Sequence, residues 1–350
     1  MVLLVAQPGL EQKIEKMANA YLGKHVATGL AIAIIGKKDH KTWEKELHFG
    51  RASRTSQIPI TNYTEFRINL ITQAFTAATL AYFVQEGWVS LSDPVSKFLP
   101  KSMRIPNYQG QEITLGDLAT HTSGLPNMPY QHEIHAVFRV AQMYRFLNHY
   151  QLTYPPGTRY LYSNLGYAFL SNLLMRIAKS SLSDLFQRFI FDPLYLKETT
   201  FFLSREQQTR CVIGYDGIRD IFPSERDKVY SVFVGSGGLY STASDMLRWL
   251  AFNLGEVKTS LNTVLPLMQQ DFHTFKHFRV GLGWKIVLDR DIAKHDLYFI
   301  EGQRNGFSTY MGMIPEQGIG VVILANQSAF PSSLLGKDIL KLLVAVSKES

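Results

Sequence analysis

Residues 66–87 read Phe66-Arg67-Ile68-Asn69-Leu70-Ile71-Thr72-Gln73-Ala74-Phe75-Thr76-Ala77-Ala78-Thr79-Leu80-Ala81-Tyr82-Phe83-Val84-Gln85-Glu86-Gly87. The run is apolar and free of Pro and Gly until Gly87, so it predicts a buried helix entered at Phe66. Leu70 and Gln73 stand three residues apart and on a helix share one face. A nucleophile and the base that activates it are placed at this spacing when one helical turn carries both. Here neither residue type is present.

Working outward, the 350 residues are 46% apolar and 19% charged, an ordinary globular composition with room for two lobes around a cleft. The net charge is +7, but Lys and Arg are scattered, which fits a generally basic surface and gives no reason to expect nucleic-acid recognition. A single cysteine, Cys211, excludes an internal disulfide, and no Cys/His set has the spacing of zinc ligands. No metal or cofactor is expected. Met1–Gln7 is too short for a signal-peptide core and lacks a basic leader. The late apolar run Leu342–Val346 is far below the roughly 20 residues that span a bilayer, so no membrane span is expected.

Upstream, Leu10, Ile14, Met17 and Tyr21 follow a helical period. The Ala/Ile run Gly29–Ile35 predicts a strand with Thr42–Gly50 as its hairpin partner. Residues 88–230 look mainly helical, with helix starts signalled at Thr114–Asp117, Ser181–Asp184 and Thr242–Asp245 by the capping-box pattern. Pro155-Pro156-Gly157 breaks the chain, and a helix resumes over Leu165–Ala178. Beyond Gly281 the texture turns to strands: Leu282, Trp284 and Ile286 alternate, and Leu297–Ile300 and Val321–Ala325 are short apolar runs. Pro331–Val346 closes the chain as a helix. Strands near both ends with helices between them predict an α+β fold, its sheet completed by distant parts of one chain and its cleft where sheet and helices meet.

Several motifs, in order, carry a resemblance that covers nearly the whole chain. Phe66, Leu70, Gln73, Thr76 and Glu86-Gly87 fit F-x-x-x-S-x-x-K-x-x-T followed by an apolar helix ending E-G, except at the Ser and the Lys. Ile113 to Pro126 is close to I-T-L-x-x-L-L-x-H-T-S-G-L-P. Pro156-Gly157-Thr158 with Tyr162-Ser163-Asn164 matches P-G-x and Y-x-N. Pro193-Leu194-Tyr195 with Thr199 is similar to P-L-G-M-x-x-T, and Gly237 to Asp245 to G-G-L-x-S-T-A-x-D. The chain therefore resembles the penicillin-binding-protein and class C β-lactamase superfamily of SxxK serine hydrolases. That resemblance implies a β-lactamase/transpeptidase-like α+β fold, with a mainly antiparallel sheet lobe from 1–65 and 235–350 and a helical lobe from 66–234. It also implies an extracytoplasmic bacterial setting.

The third family motif, K-T-G or H-x-G, falls on Ile300-Glu301-Gly302. By resemblance the usual Ser, Lys and Lys/His positions are thus Leu70, Gln73 and Ile300, while Tyr162 and Asn164 are kept. Oxyanion donors, by resemblance the backbone N–H groups of Leu70 and Gln303, survive any change of side chain. Leu70 offers no lone pair for an acyl-enzyme, and Gln73 is neutral and shuttles no proton. An unperturbed Tyr162 titrates near ~10, with the usual neighbouring cation gone.

Glu301 is the one new ionisable group near the expected cleft; alternation along a strand favours its pointing to solvent. His121 and Ser123 read as structural. Thr42-Trp43-Glu44-Lys45 has S/T-x-x-K spacing, but on a strand its ends face opposite sides.

The sequence weighs against an active enzyme. The expectation is a pseudoenzyme whose cleft, with Leu70, Gln73, Tyr162, Asn164, Glu301, Gly302 and Gln303, binds a small molecule, a peptide or a protein partner. The alternative is a hydrolase with rewired chemistry using Tyr162, Glu301 or a water.

Overall fold

Strand pairing brings the two ends of the chain together. In the computed structural model, which describes residues 8–24, 29–38, 41–129, 138–217, 219–221 and 231–348, β1 (Gly29–Lys38) and β2 (Lys41–Gly50) form a hairpin registered from Gly29↔Gly50 to Lys38↔Lys41. Met1–Gln7 lies outside the described residues. The free edge of β1 is taken by a strand almost 290 residues later: Leu30 pairs with Ala325 and Ile35 with Gly320. That strand is β8 (Ile319–Ala325), and five more continue the sheet: β3 (His273–Thr274), β4 (Arg279–Val280), β5 (Lys285–Val287), β6 (Leu297–Arg304) and β7 (Phe307–Ile314). The order is β2-β1-β8-β7-β6-β5-β4-β3, with antiparallel neighbours throughout.

Both faces of this sheet are covered, which is why β1 is a continuous apolar run instead of an alternating one. Leu30, Ile32 and Ile34 pack under two terminal helices, α1 (Pro8–Lys24) and α5 (Ser332–Lys348). Ala31, Ala33 and Ile35 face the other way, into a core shared with the central helices α2 (Thr72–Gln85), α3 (Asn164–Ala178) and α4 (Ala243–Asn253). Phe75 of α2 stacks on Trp249 of α4 with ring centroids 4.1 Å apart. No helix among the described residues is long and apolar enough to cross a membrane.

The structure alters three local readings. The expected helix from Phe66 begins later: Phe66–Arg67 is a short strand paired with Tyr240–Ser241, Asn69–Ile71 is a 3₁₀ turn, and α2 starts at Thr72. The Leu282/Trp284/Ile286 alternation yields only the three-residue β5, because Gly283 takes a left-handed φ of +76° and turns the chain. Of the three capping boxes, Thr114/Asp117 is reciprocal. Ser181 and Thr242 cap by their own side chains, and Asp245 instead accepts from the amides of Glu198 and Thr199, both at 2.8 Å.

Thr42 and Lys45 diverge as strand geometry requires, Thr42 bonding Glu256 and Lys45 pairing with Glu11.

Candidate functional site

Asn69 holds the residue before Leu70 in a left-handed conformation, φ +48°, which Asn tolerates better than most residues. Its buried side chain donates to the carbonyls of Arg304, at 3.1 Å, and Phe307, at 3.2 Å, on the β6–β7 hairpin. Those bonds fix the 3₁₀ turn against the sheet and aim Leu70 into a cavity of about 360 Å³ that also receives Gln73 one turn later. The shared face expected of Leu70 and Gln73 is therefore present, although turn and helix divide it.

Gln73, 4% exposed, is the node of a buried network. Its Nε2 donates to the Tyr162 hydroxyl at 2.8 Å and to Asn164 Oδ1 at 3.2 Å. Tyr162 in turn donates to Asn164 Oδ1 at 3.1 Å, and Asn164 Nδ2 donates to Asn127 Oδ1 at 2.7 Å. On the other side, Gln73 Oε1 lies 3.2 Å from His121 Nε2. The Ser163 N–H donates to His121 Nδ1 at 3.1 Å, so the ring proton is on Nε2 and is given to Gln73. A neutral amide is the one side chain of this length that serves donors and acceptors at once. In this site every polar end of Gln73 is used.

The same burial sets the charges. His121 is enclosed by Tyr160, Tyr162 and Tyr167, and desolvation pushes its pKa down to about 3, so it is neutral at physiological pH. Burial drives Tyr162 well above the usual phenol range; the Gln73 hydrogen bond and the charge of Arg304 oppose that without reversing it. Tyr160 is raised to about 12 by burial. No group at the node accepts a proton near neutrality by virtue of these shifts.

The sheet side is formed by β6. Ile300, 9% exposed, faces the cavity and the helical core. A Cβ added at Gly302 would come within 3.1 Å of Leu70 N, Leu70 Cγ and Asn69 Cβ, so any larger residue would press on the Leu70 turn. Glu301 lines the cavity as expected, but its side chain and that of Gln303 do not project as Ile300 does; the role expected of Gln303 lies in its backbone N–H. Alternation along β6 turns their side chains to the opposite face, where Glu301 pairs across the ladder with Tyr310 of the terminal-helix core, and Gln303 Nε2 donates to the Phe330 carbonyl at 3.3 Å. Glu301 reaches the cleft only at its rim.

A family profile described as "Beta-lactamase" matches residues 14–345. The chain belongs to the beta-lactamase family. Among similar proteins, D-alanyl-D-alanine-carboxypeptidase/endopeptidase AmpH of Escherichia coli strain K12 is 30% identical over 279 residues, covering 75% of this chain and 71% of that one. A beta-lactamase of the same strain is 25% identical over 333 residues, covering 86% and 84%. A solved Beta-lactamase/D-alanine Carboxypeptidase from Yersinia pestis superposes with a TM-score of 0.80 at 27% identity over 96% of this chain and 97% of that one. A class C beta-lactamase superposes with a TM-score of 0.84 at 18% identity over 97% of both chains, a likeness of fold.

Within this beta-lactamase fold, several cleft residues went unread in the sequence. Asn69 and Asn127, and likewise His121, which the sequence marked only as structural, act through hydrogen bonds between segments far apart in the chain. His121 also has a positive φ of +59°, the second strained non-glycine residue at the cleft. Ser123 makes no dyad with it; its hydroxyl accepts from the Leu125 amide at 3.3 Å. Tyr160, Val280, Trp284 and Lys285 complete the walls; they lie where no motif marks them.

Tyr162→Phe removes one node of the network and leaves Gln73 its bond to Asn164. The expected cost is about 1 kcal/mol, the usual net value of a hydrogen bond, measured as a lower urea midpoint with an unchanged slope.

Proposed function

We propose that this beta-lactamase-family chain keeps the family's cleft without its acyl-transfer chemistry and uses the cleft to bind a small-molecule or peptide ligand or a partner. The observation that carries the reading is the state of Gln73: it occupies the base position of the helix, is uncharged, and has every polar atom committed to Tyr162, Asn164 and His121. Leu70, beside it in the cavity, has no nucleophilic atom. A setting outside the cytoplasm, implied by the resemblance, is part of the same proposal. The rewired alternative has less support, since burial raises Tyr162 and the Glu301 side chain belongs to the other face of β6.

The test is intact-mass spectrometry after incubation with a β-lactam and with a fluorophosphonate, alongside turnover assays on D-Ala-D-Ala peptides and on ester substrates. No adduct and no turnover above the Tyr162→Phe variant are expected. A stoichiometric adduct, or turnover that Tyr162→Phe abolishes, overturns the proposal.

A further inference from the structure

A second cavity of about 400 Å³ adjoins the cleft on the outer face of the sheet, lined among others by His277, Phe278, Phe299, Leu334 and Lys337. Lys285, Phe299 and Glu301 line both cavities, so the two meet at the cleft's rim. The β5–β6 ladder ends here. Lys285 is paired with Phe299, and the next position on that face, opposite Glu301, would belong to Gly283. Gly283 has left the ladder: its backbone lies so near α2 that an added Cβ would meet Ala74 Cα and Ala77 Cβ at 3.0 Å. Glu301 is consequently exposed, with no cross-strand neighbour on that side.

Lys285 and Glu301 carry opposite charges on one face of the rim, yet they do not pair with each other. Among the described residues neither has any ion-pair partner. The Lys285 ammonium is held over the Phe278 ring at 4.5 Å and near the Phe299 ring at 5.7 Å, while Lys337 is engaged by Asp289 at 3.3 Å. Residues placed diagonally across antiparallel strands lie roughly 7–8 Å apart, which leaves room between two long side chains for a group bearing both charges. Inside the cleft the polar atoms of Gln73 and Asn164 are satisfied by protein, and Leu70, Ile300, Tyr160 and Trp284 offer mainly apolar wall.

We propose that the cleft and the rim together take a zwitterionic amino-acid-type ligand: an uncharged, largely apolar body against Leu70 and Ile300, with a free α-carboxylate at Lys285 and a free α-ammonium at Glu301. This rests on the reading of the cleft as a binding site and specifies what it binds. Burying the body excludes water from the rim and strengthens both charge contacts.

Isothermal titration with four matched probes tests it: Nε-hexanoyl-lysine, its Nα-acetyl derivative, its methylamide, and the derivative carrying both caps. These present zwitterionic, anionic, cationic and neutral heads on one tail. The zwitterion is expected to bind at least about 10-fold tighter than any other, a difference of 1.4 kcal/mol. Lys285→Gln should weaken the zwitterion and the anion but spare the cation, and Glu301→Gln should weaken the zwitterion and the cation but spare the anion. Equal affinity for all four, or preference for the neutral probe, overturns the zwitterion assignment and leaves the binding cleft standing. Absence of binding by every probe overturns the assignment, and with adduct formation or turnover in the assays above it overturns the binding reading as well.

Discussion

The Leu70→Ser/Gln73→Lys double variant is expected to form a covalent adduct with a β-lactam, whereas the wild-type chain forms none. The backbone that would present such a serine is in place: Asn69 is strained and doubly hydrogen-bonded to the β6–β7 hairpin, and Gly302 lies against the Leu70 amide. A lysine at 73 would find the acceptors that now receive the Gln73 amide, the Tyr162 oxygen and Asn164 Oδ1, one helical turn from the new hydroxyl. Gain of a nucleophile with its base supplies what, in other hydrolases, is worth on the order of 10⁶ in rate, so the expected change is from no labelling to a stoichiometric adduct. The cost is local. His121 Nε2–H loses its acceptor on Gln73 Oε1, a penalty of roughly 1–3 kcal/mol for a buried unpaired donor. A thermal melt separates that cost from misfolding. Adding Ile300→Lys, which supplies a cation on β6, should speed the reaction further. A folded double and triple variant that both stay unlabelled would mean that the cleft has changed in more than three side chains.

What the sequence made legible was the part governed by local pattern. Gly29–Ile35 and Val321–Ala325 announced buried strands because both faces of each are covered, and α3 and α5 followed from apolar spacing. The family motifs drew attention to Leu70, Gln73, Tyr162 and Asn164 because each belongs to a segment with its own signal, and the fold gathers the last three into one hydrogen-bonded network beside Leu70. Other features depended on distant partners. That β1 lies beside β8 is a matter of topology, and no local pattern states it. Phe66–Arg67 has helical composition, yet a ladder with Tyr240–Ser241 overrides that preference. Gln73 looked like a lost lysine; only the fold shows it as the shared partner of His121, Tyr162 and Asn164. Glu301 was named with the cleft although strand alternation favoured solvent, and it does both: it stands exposed on the face of β6 opposite Ile300 and still lines the cavity.

The Glu65→Gln variant is expected to be more stable than wild type at pH 9 by a few kcal/mol and to differ little from it near pH 4. Glu65 is fully buried where its backbone pairs with Arg210 and Val212, immediately before the ladder that leads into the Leu70 turn. Gln207 Nε2 donates to its Oε1 at 3.0 Å, Arg210 Nη1 stands 3.8 Å away, and Oε2 has no partner. Desolvation outweighs the attraction of Arg210, and with Glu198 and Asp245 adding to the upward push the carboxyl is raised to about 8. In the unfolded chain the same group titrates near ~4.3. Between those values the folded protein holds a proton that the unfolded chain releases, so stability falls as pH rises across this window. The contribution is complete below the unfolded pKa and gone above the folded one, and each unit of difference is about 1.4 kcal/mol. Glutamine keeps the shape and the Gln207 contact and never ionises. Burial also raises Asp245, which adds a slope of the same sign; subtracting the variant's urea-unfolding free energies from those of wild type at pH 4, 6, 7.5 and 9 isolates the Glu65 term. Parallel curves would mean that Glu65 is ionised in the fold, paired with Arg210 strongly enough to offset its burial.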